Sequence, residues 1–135
     1  MAKIRIRTGI SVINEQKEIL LVPHYVNNKI YWYLPGGGIE FLEQIEDAAV
    51  REFKEETGFE VEITSEAQVI QFIRQSPPWH SITFVYSGKI IGGELQGEDS
   101  QWGIKMPVWY GKKDLSGIDI VSYLRHIVFL LVGQK

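Results

Sequence analysis

Residues 35–59 read PGGGIEFLEQIEDAAVREFKEETGF, and this stretch decides the fold. Pro35 followed by Gly36, Gly37 and Gly38 interrupts any regular element, so these residues form a loop. Apolar side chains then recur at helical spacing, which predicts a helix over 43–57, with Gly58 in the position that ends helices in the left-handed conformation. On a wheel of about 100° per residue, Ala48, Ala49 and Phe53 fall within about 80° of Ile45 and form a buried stripe. Glu43, Glu46, Asp47, Arg51 and Lys54 face outward. The last two turns break this pattern. Glu52 and Glu56 fall about 20° either side of Ile45, and Glu55 about 80° from it. Three carboxylates therefore continue or border the apolar stripe.

Each of those placements is costly. Glu52 and Glu56 are a like-charge i,i+4 pair. Negative charge near a helix C-terminus opposes the macrodipole. Partial burial adds desolvation. A divalent cation offsets all three costs at once, and oxygen-only ligands suit Mg²⁺ or Mn²⁺ better than Zn²⁺. A solvated acidic face is the plain alternative, and the glutamate spacing alone favours it. The glycine loop just before the helix shifts the balance.

Outward from this segment, residues 4–13 alternate as a strand, and Asn14-Glu15-Gln16 reads as a hairpin turn before the apolar run Ile19 to Val22. Tyr31 to Leu34 is a short strand that stops at Pro35. Further strands are expected at 59–63, 67–74, 81–91 and 106–110, with Pro77-Pro78 as a break. A last helix is expected at about 117–132, with Leu124, Ile127, Val128 and Leu131 on one face. This mixed order points to an α/β fold with a mixed sheet packed between helices, not a doubly wound parallel sheet.

The bounds of composition agree. The chain has 135 residues, enough for one domain (1–135) with a proper core. It has no cysteine, which excludes disulfides, thiolate metal sites and cysteine nucleophiles. Its net charge of −3 argues against a nucleic-acid polymer or an anionic membrane as partner, so phosphate recognition must be local. The N-terminus alternates charge with Ile, unlike a signal peptide, and Ile127 to Val132 is too short to span a bilayer. The expected compartment is the cytoplasm.

Gly37, five residues, Glu43, seven residues, then Arg51-Glu52-Phe53-Lys54-Glu55-Glu56-Thr57-Gly58-Phe59 fill every specified position of the pattern GX5EX7REUXEEXGU, where U is bulky and apolar. Here the chain resembles the Nudix hydrolase (MutT-like) family. A chance match is on the order of 10⁻⁹ per starting position. The resemblance implies a single-domain Nudix-type α/β/α sandwich. It implies a metal-dependent hydrolase that cleaves a phosphoanhydride bond in a nucleoside diphosphate linked to another moiety, or in a nucleoside triphosphate. It implies Gly37, Glu52, Glu55 and Glu56 as the metal site, holding Mg²⁺ or Mn²⁺, with Glu52, Glu55 and Glu56 also catalytic. It implies that Glu43 and Arg51 pair to hold the loop–helix geometry, with Gly37 and Gly58 as its structural glycines; the plain alternative is a surface pair. Glu40 is a further ligand, an orienting group or solvent-exposed. Leu42 and Gln44 stand where relatives often have Gly and a Ser or Thr N-cap, and Gln caps poorly.

The reaction needs a positioned water, neutralised phosphates and a base. In the family the base is often a glutamate outside the helix. Glu98 is the candidate, Glu94 and Asp99 are alternatives, and Glu52 itself is another. For the substrate, Arg5 and Arg7 share one strand face and either contact phosphate or blunt a sheet edge. Tyr31, Trp32, Tyr33 and Trp79 either stack on a base or pack. His80 is a pocket candidate, and Trp102 and Trp109 are packing residues. The expected partner is a small-molecule nucleotide, and the resemblance is compatible with a homodimer. A nucleotide-sensing module without turnover is the competing reading, disfavoured because all the helix glutamates are kept. An isoprenoid diphosphate isomerase ranks last because it would use a cysteine.

Overall fold

Alternation at the N-terminus does produce a strand, β1 (Arg5–Ser11). A computed structural model describes residues 2–101 and 103–133, so the expectation for Trp102 lies outside the described residues. After β1 come β2 (Ile19–Val26), β3 (Lys29–Tyr33), α1 (Ile45–Thr57), β4 (Phe59–Ile63), β5 (Gln68–Arg74) and β6 (Trp79–Gly93). The chain continues through β7 (Glu98–Ser100), β8 (Gly103–Lys105), β9 (Val108–Tyr110), α2 (Lys112–Leu115) and α3 (Ser122–Val132).

β6 is the spine of the larger sheet. β1 runs parallel to it over Ser81–Ser87, while β5 and β4 pair antiparallel with it over Trp79–Val85 and Gly88–Gly93. A second, antiparallel sheet has the order β3-β2-β9. The mixed pairing expected from the sequence is present, but the strands are shared between these sheets and the β7–β8 hairpin.

Side-chain alternation sends consecutive residues to opposite faces, and each face meets a different helix. Ile10, Leu20, Val61 and Tyr86 pack with Ala49 and Phe53 of α1. Ile19, Leu21, Leu34 and Val85 pack with Leu124, Val128 and Val132 of α3. The result is an α/β/α sandwich with a core on either side of the strands.

Several boundaries differ from the sequence reading, each for a local reason. β2 runs on through Pro23. β9 pairs only with Ile19–Leu21, so at Pro23 one edge of β2 has no ladder that needs its missing N–H. Asn27 and Asn28 both adopt positive φ, 49° and 63°, the geometry that closes a tight two-residue hairpin between β2 and β3. α1 begins at Ile45 rather than 43, and Gln44 provides no side-chain cap, as expected of Gln. Leu42 takes φ 69°, which glycine adopts without strain. The polar segment after Gly93 is not all loop, because Glu98–Ser100 and Gly103–Lys105 pair as a hairpin. The C-terminal helix starts at Ser122, preceded by the single turn of α2. No described helix is long and apolar enough to cross a membrane.

Candidate active site

The glycine loop is held along the free edge of β1. Ile10 N–H donates to Pro35 O at 2.9 Å, and Thr8 N–H donates to Gly37 O at 2.8 Å. This edge-on docking leaves no room for a side chain at Gly36, where a Cβ would meet the Thr8 and Gly9 backbone. It also aims Gly36 N–H at the helix, where it donates to Glu56 Oε1 at 2.6 Å. Glu56 is only 6% exposed, so its charge is enclosed between loop and helix.

Arg51 gathers the other carboxylates. Its Nε and Nη2 form a fork on Glu43 at 2.8 and 2.9 Å. Nη1 donates to Glu52 Oε1 at 2.7 Å and to Glu55 Oε1 at 3.0 Å. Glu43 in turn accepts Glu40 N–H at 3.0 Å, so the pair ties the loop to the helix. Glu40 itself is exposed, with its carboxylate 4.0 Å from Arg51.

These contacts set the titration. The Arg51 hydrogen bond, with help from Glu40 N–H, pulls Glu43 from 4.5 to about 2. A carboxyl depressed in the fold contributes stability above its ordinary value and loses it as pH falls through the folded one. The thermal stability advantage of the wild type over Glu43→Gln is therefore expected to be full above about pH 4.5 and gone below about pH 2, read as Tm against pH. A pH-independent difference would show that packing, not this ion pair, is what the glutamate supplies. Glu52 moves the other way. Burial raises it first, opposed by the Arg51 hydrogen bond, with Glu56 and Glu55 adding repulsion.

Among the described residues, no three Asp, Glu, His or Cys side chains already converge at metal-ligand spacing. Glu52 and Glu55 instead converge on one nitrogen of the Arg51 guanidinium. Gly37, expected at the metal, turns its carbonyl to β1, where it accepts the Thr8 N–H and, at 3.2 Å, its hydroxyl. Gly37 instead contributes space, since a Cβ there would strike the Glu52 carboxylate.

Glu98 sits on β7, with Lys105 3.3 Å from its carboxylate. Gln96 N–H donates to Thr57 O at 2.8 Å, which anchors the segment leading to this hairpin at the C-terminal end of α1. Gly58 closes that end with φ 81°, and a Cβ there would meet Glu94 O.

Beside Glu56 lies a cavity of about 390 Å³ lined by Arg7, His24, Tyr33, Phe72, Arg74, Trp79 and Tyr123 among others. His24 joins the two regions. Its Nε2 is 3.7 Å from Glu56 Oε2, and its ring lies 4.2 Å from that of Tyr33. Burial raises the Tyr33 and Tyr123 hydroxyls above their ordinary value, and the positive charge of Arg7 opposes the rise at both. Arg5 stacks on Trp79, 3.7 Å from the ring centroid. Two sequence candidates fall elsewhere. Trp32 packs edge-on against Tyr110 and ties β3 to residues 119–121 through its backbone. His80 points to the opposite face of β6 from Trp79 and contacts Gln71 at 3.1 Å. The sequence reading missed His24, Phe72, Arg74 and Tyr123. Only Phe72 and Arg74 left a signal, an i,i+2 pair on one strand face.

The sequence model of the NUDIX domain matches residues 3–121. The chain is 38% identical over 89 residues to an ADP-ribose pyrophosphatase of Methanocaldococcus jannaschii, covering 65% of this chain and 53% of that protein. It is 33% identical over 90 residues to a putative 8-oxo-dGTP diphosphatase of Bacillus subtilis, covering 67% and 56%. The chain thus spans about half the length of these curated relatives. A solved NUDIX hydrolase from Nitrosomonas europaea superposes with a TM-score of 0.82 at 19% identity, covering 96% of this chain and 88% of that one. With the signature at residues 37–59, a family match over most of the chain and the same sandwich fold, this protein belongs to the NUDIX family.

Proposed function

We propose that the chain is a divalent-cation-dependent hydrolase of a phosphoanhydride bond, acting on a nucleoside diphosphate linked to another group or on a nucleoside triphosphate. One observation carries this reading: Glu56 of α1 lies 3.7 Å from His24, which lines a cavity that also carries arginine and aromatic side chains. Glu52, Glu55 and Glu56 would hold the cation, and an all-oxygen donor set suits Mg²⁺ or Mn²⁺. Such a cation supplies charge neutralisation for the diphosphate and eases deprotonation of an attacking water.

The chain's own groups do the remaining work. Gly36 N–H fixes one oxygen of Glu56, and the other faces His24. Arg51 keeps Glu52 and Glu55 beside each other. Glu98, carried to the end of α1 by its hairpin, accepts the proton of the attacking water as general base. Arg7 offers positive charge to the phosphates, and Tyr33, Phe72 and Tyr123 offer ring faces to a base or sugar.

The test is phosphate release from ADP-ribose, nucleotide sugars, dinucleoside polyphosphates and nucleoside triphosphates, with Mg²⁺ and then with EDTA. Mg²⁺-dependent turnover abolished by EDTA is the expected result, and the preferred compound names the substrate. Silence across the panel with tight nucleotide binding retained would replace the enzyme with a sensor.

A further inference from the structure

Three arginines, Arg5, Arg7 and Arg74, lie on one face of the β5–β6–β1 sheet. Arg5 and Arg7 register with Ser81 and Thr83 of β6, and Arg74 registers with Trp79. Residues at i and i+2 share a strand face, so all three point to the side of Trp79 and Phe72. The protein as a whole is acidic, with net charge −3. Yet among the described residues none of the three has a carboxylate within 4.0 Å. Unneutralised cations gathered on one face of an acidic protein have an anion as their natural partner.

Two further polar groups lie on this face without a partner. Ser81 and Thr83 are 0% and 3% exposed, and neither hydroxyl has a hydrogen-bond partner. On β6, Ser81 lies between Phe72 and Arg5, and Thr83 between Ile70 and Arg7. Both are sealed beneath the surface and neither lines the cavity, so on this face the arginines and Trp79 are the groups presented to a ligand.

The arginines are not equivalent. The glycine loop that holds Glu56 runs along one edge of β1, whereas β5 lies two strands away on the other side, beyond β6. At about 4.8 Å per strand, the backbone of Arg74 is roughly 14 Å laterally from that loop. A nucleoside bridges such a distance and a diphosphate does not. Arg7, on β1 itself, is placed for the diphosphate. Arg74 and Arg5 flank Trp79 at the far end. Arg74 spends its Nε on Pro77 O at 2.9 Å, which fixes the guanidinium and leaves its terminal nitrogens to donate elsewhere.

We propose that Arg74 and Arg5, with Trp79 between them, form a second anion site, so that this protein prefers nucleotides carrying a further phosphoryl group on the nucleoside half, beyond the diphosphate that is cut. This rests on the reading above, in which the cavity takes the nucleoside. The extra phosphoryl group is either a ribose phosphomonoester on a small nucleotide or the first internucleotide diester of an RNA 5′ end.

Binding in EDTA separates this site from catalysis. By calorimetry, the protein is titrated with 5′-AMP, adenosine 2′,5′-bisphosphate, adenosine 3′,5′-bisphosphate and the dinucleotide pApA, and with the guanosine set. At least one doubly phosphorylated ligand is expected to bind about tenfold or more tightly than its monophosphate. That ratio is expected to fall toward one in Arg74→Ala and in Arg5→Ala, whatever either change does to both ligands together. A purely structural role would weaken both ligands equally and preserve the ratio. A gain for the bisphosphates names a phosphomonoester, and a gain for pApA alone names an RNA end. Equal affinity throughout, no measurable binding of any doubly phosphorylated ligand, or a preference that survives the Arg5/Arg74 double substitution, overturns the site. If Mg²⁺-dependent hydrolysis is seen without any such preference, this inference fails and the proposed function stands. If binding shows the preference while no compound is hydrolysed, the reverse holds.

Discussion

Glu56→Gln is expected to lower turnover by about 10²–10³-fold or more, the loss typical when one preorganised electrostatic group is removed from a reacting centre. The fold should survive. Glu56 Oε1 accepts Gly36 N–H at 2.6 Å, and a glutamine carbonyl oxygen takes over that bond at the same place. What the amide cannot supply is negative charge for a cation. The same substitution is expected to raise Tm in EDTA at neutral pH, because Glu56 is one of the charges that push Glu52 upward. A carboxyl raised in the fold is a group whose ionisation opposes folding, so relief of that repulsion matters above its ordinary value. The gain should therefore vanish as pH falls below about 4.5. Two measurements suffice: Mg²⁺-dependent kcat, and melting curves in EDTA at pH 7 and pH 4. Near-wild-type turnover with unchanged Mg²⁺ dependence would remove Glu56 from the cation site. A lower Tm at both pH values would mean that its main task is structural.

The parts of this site legible in the sequence are the local ones. Helical spacing alone placed Glu52, Glu55 and Glu56 on one side of α1, whereas the Glu43–Arg51 pair found in the structure was implied by the family resemblance, not by spacing. The glutamine at the helix start announced a missing cap. The cavity was largely illegible, because His24, Tyr33, Phe72, Trp79 and Tyr123 come from different strands and a distant helix. Their meeting depends on the order β5–β6–β1 and on α3 covering that face, and neither is encoded in nearby residues. His80 and Trp79 show how narrow the margin is. They are adjacent, yet one lines the cavity and the other faces away, since strand parity assigns them to opposite faces. The β7–β8 hairpin was hidden for another reason. Its strands are three residues each, too short to show alternation.

Gly36, Gly37 and Gly38 are neighbours, and alanine at each is expected to fail differently. None of the three adopts the left-handed φ region that would itself demand glycine. What differs is the space. At Gly36 a Cβ meets the Thr8 carbonyl and the Gly9 Cα. Backbone cannot step aside as a side chain does, so Gly36→Ala should push the loop off β1, break the Gly36–Glu56 bond and cost about 1–3 kcal/mol or more of stability. At Gly37 the obstacle is the Glu52 carboxylate, the far end of a flexible side chain. Gly37→Ala is therefore expected to keep most of its stability while Glu52 rotates away, with turnover falling by ~10²-fold or more as a proposed cation ligand is lost. At Gly38 a Cβ meets nothing within 4 Å, so Gly38→Ala should hold its Tm and lose the least activity of the three. Measuring Tm and Mg²⁺-dependent kcat/KM for each variant separates loop docking from carboxylate placement. If Gly37→Ala were as active as Gly38→Ala, Glu52 would not need its present position, and the proposed cation site would have to be rebuilt on Glu55 and Glu56.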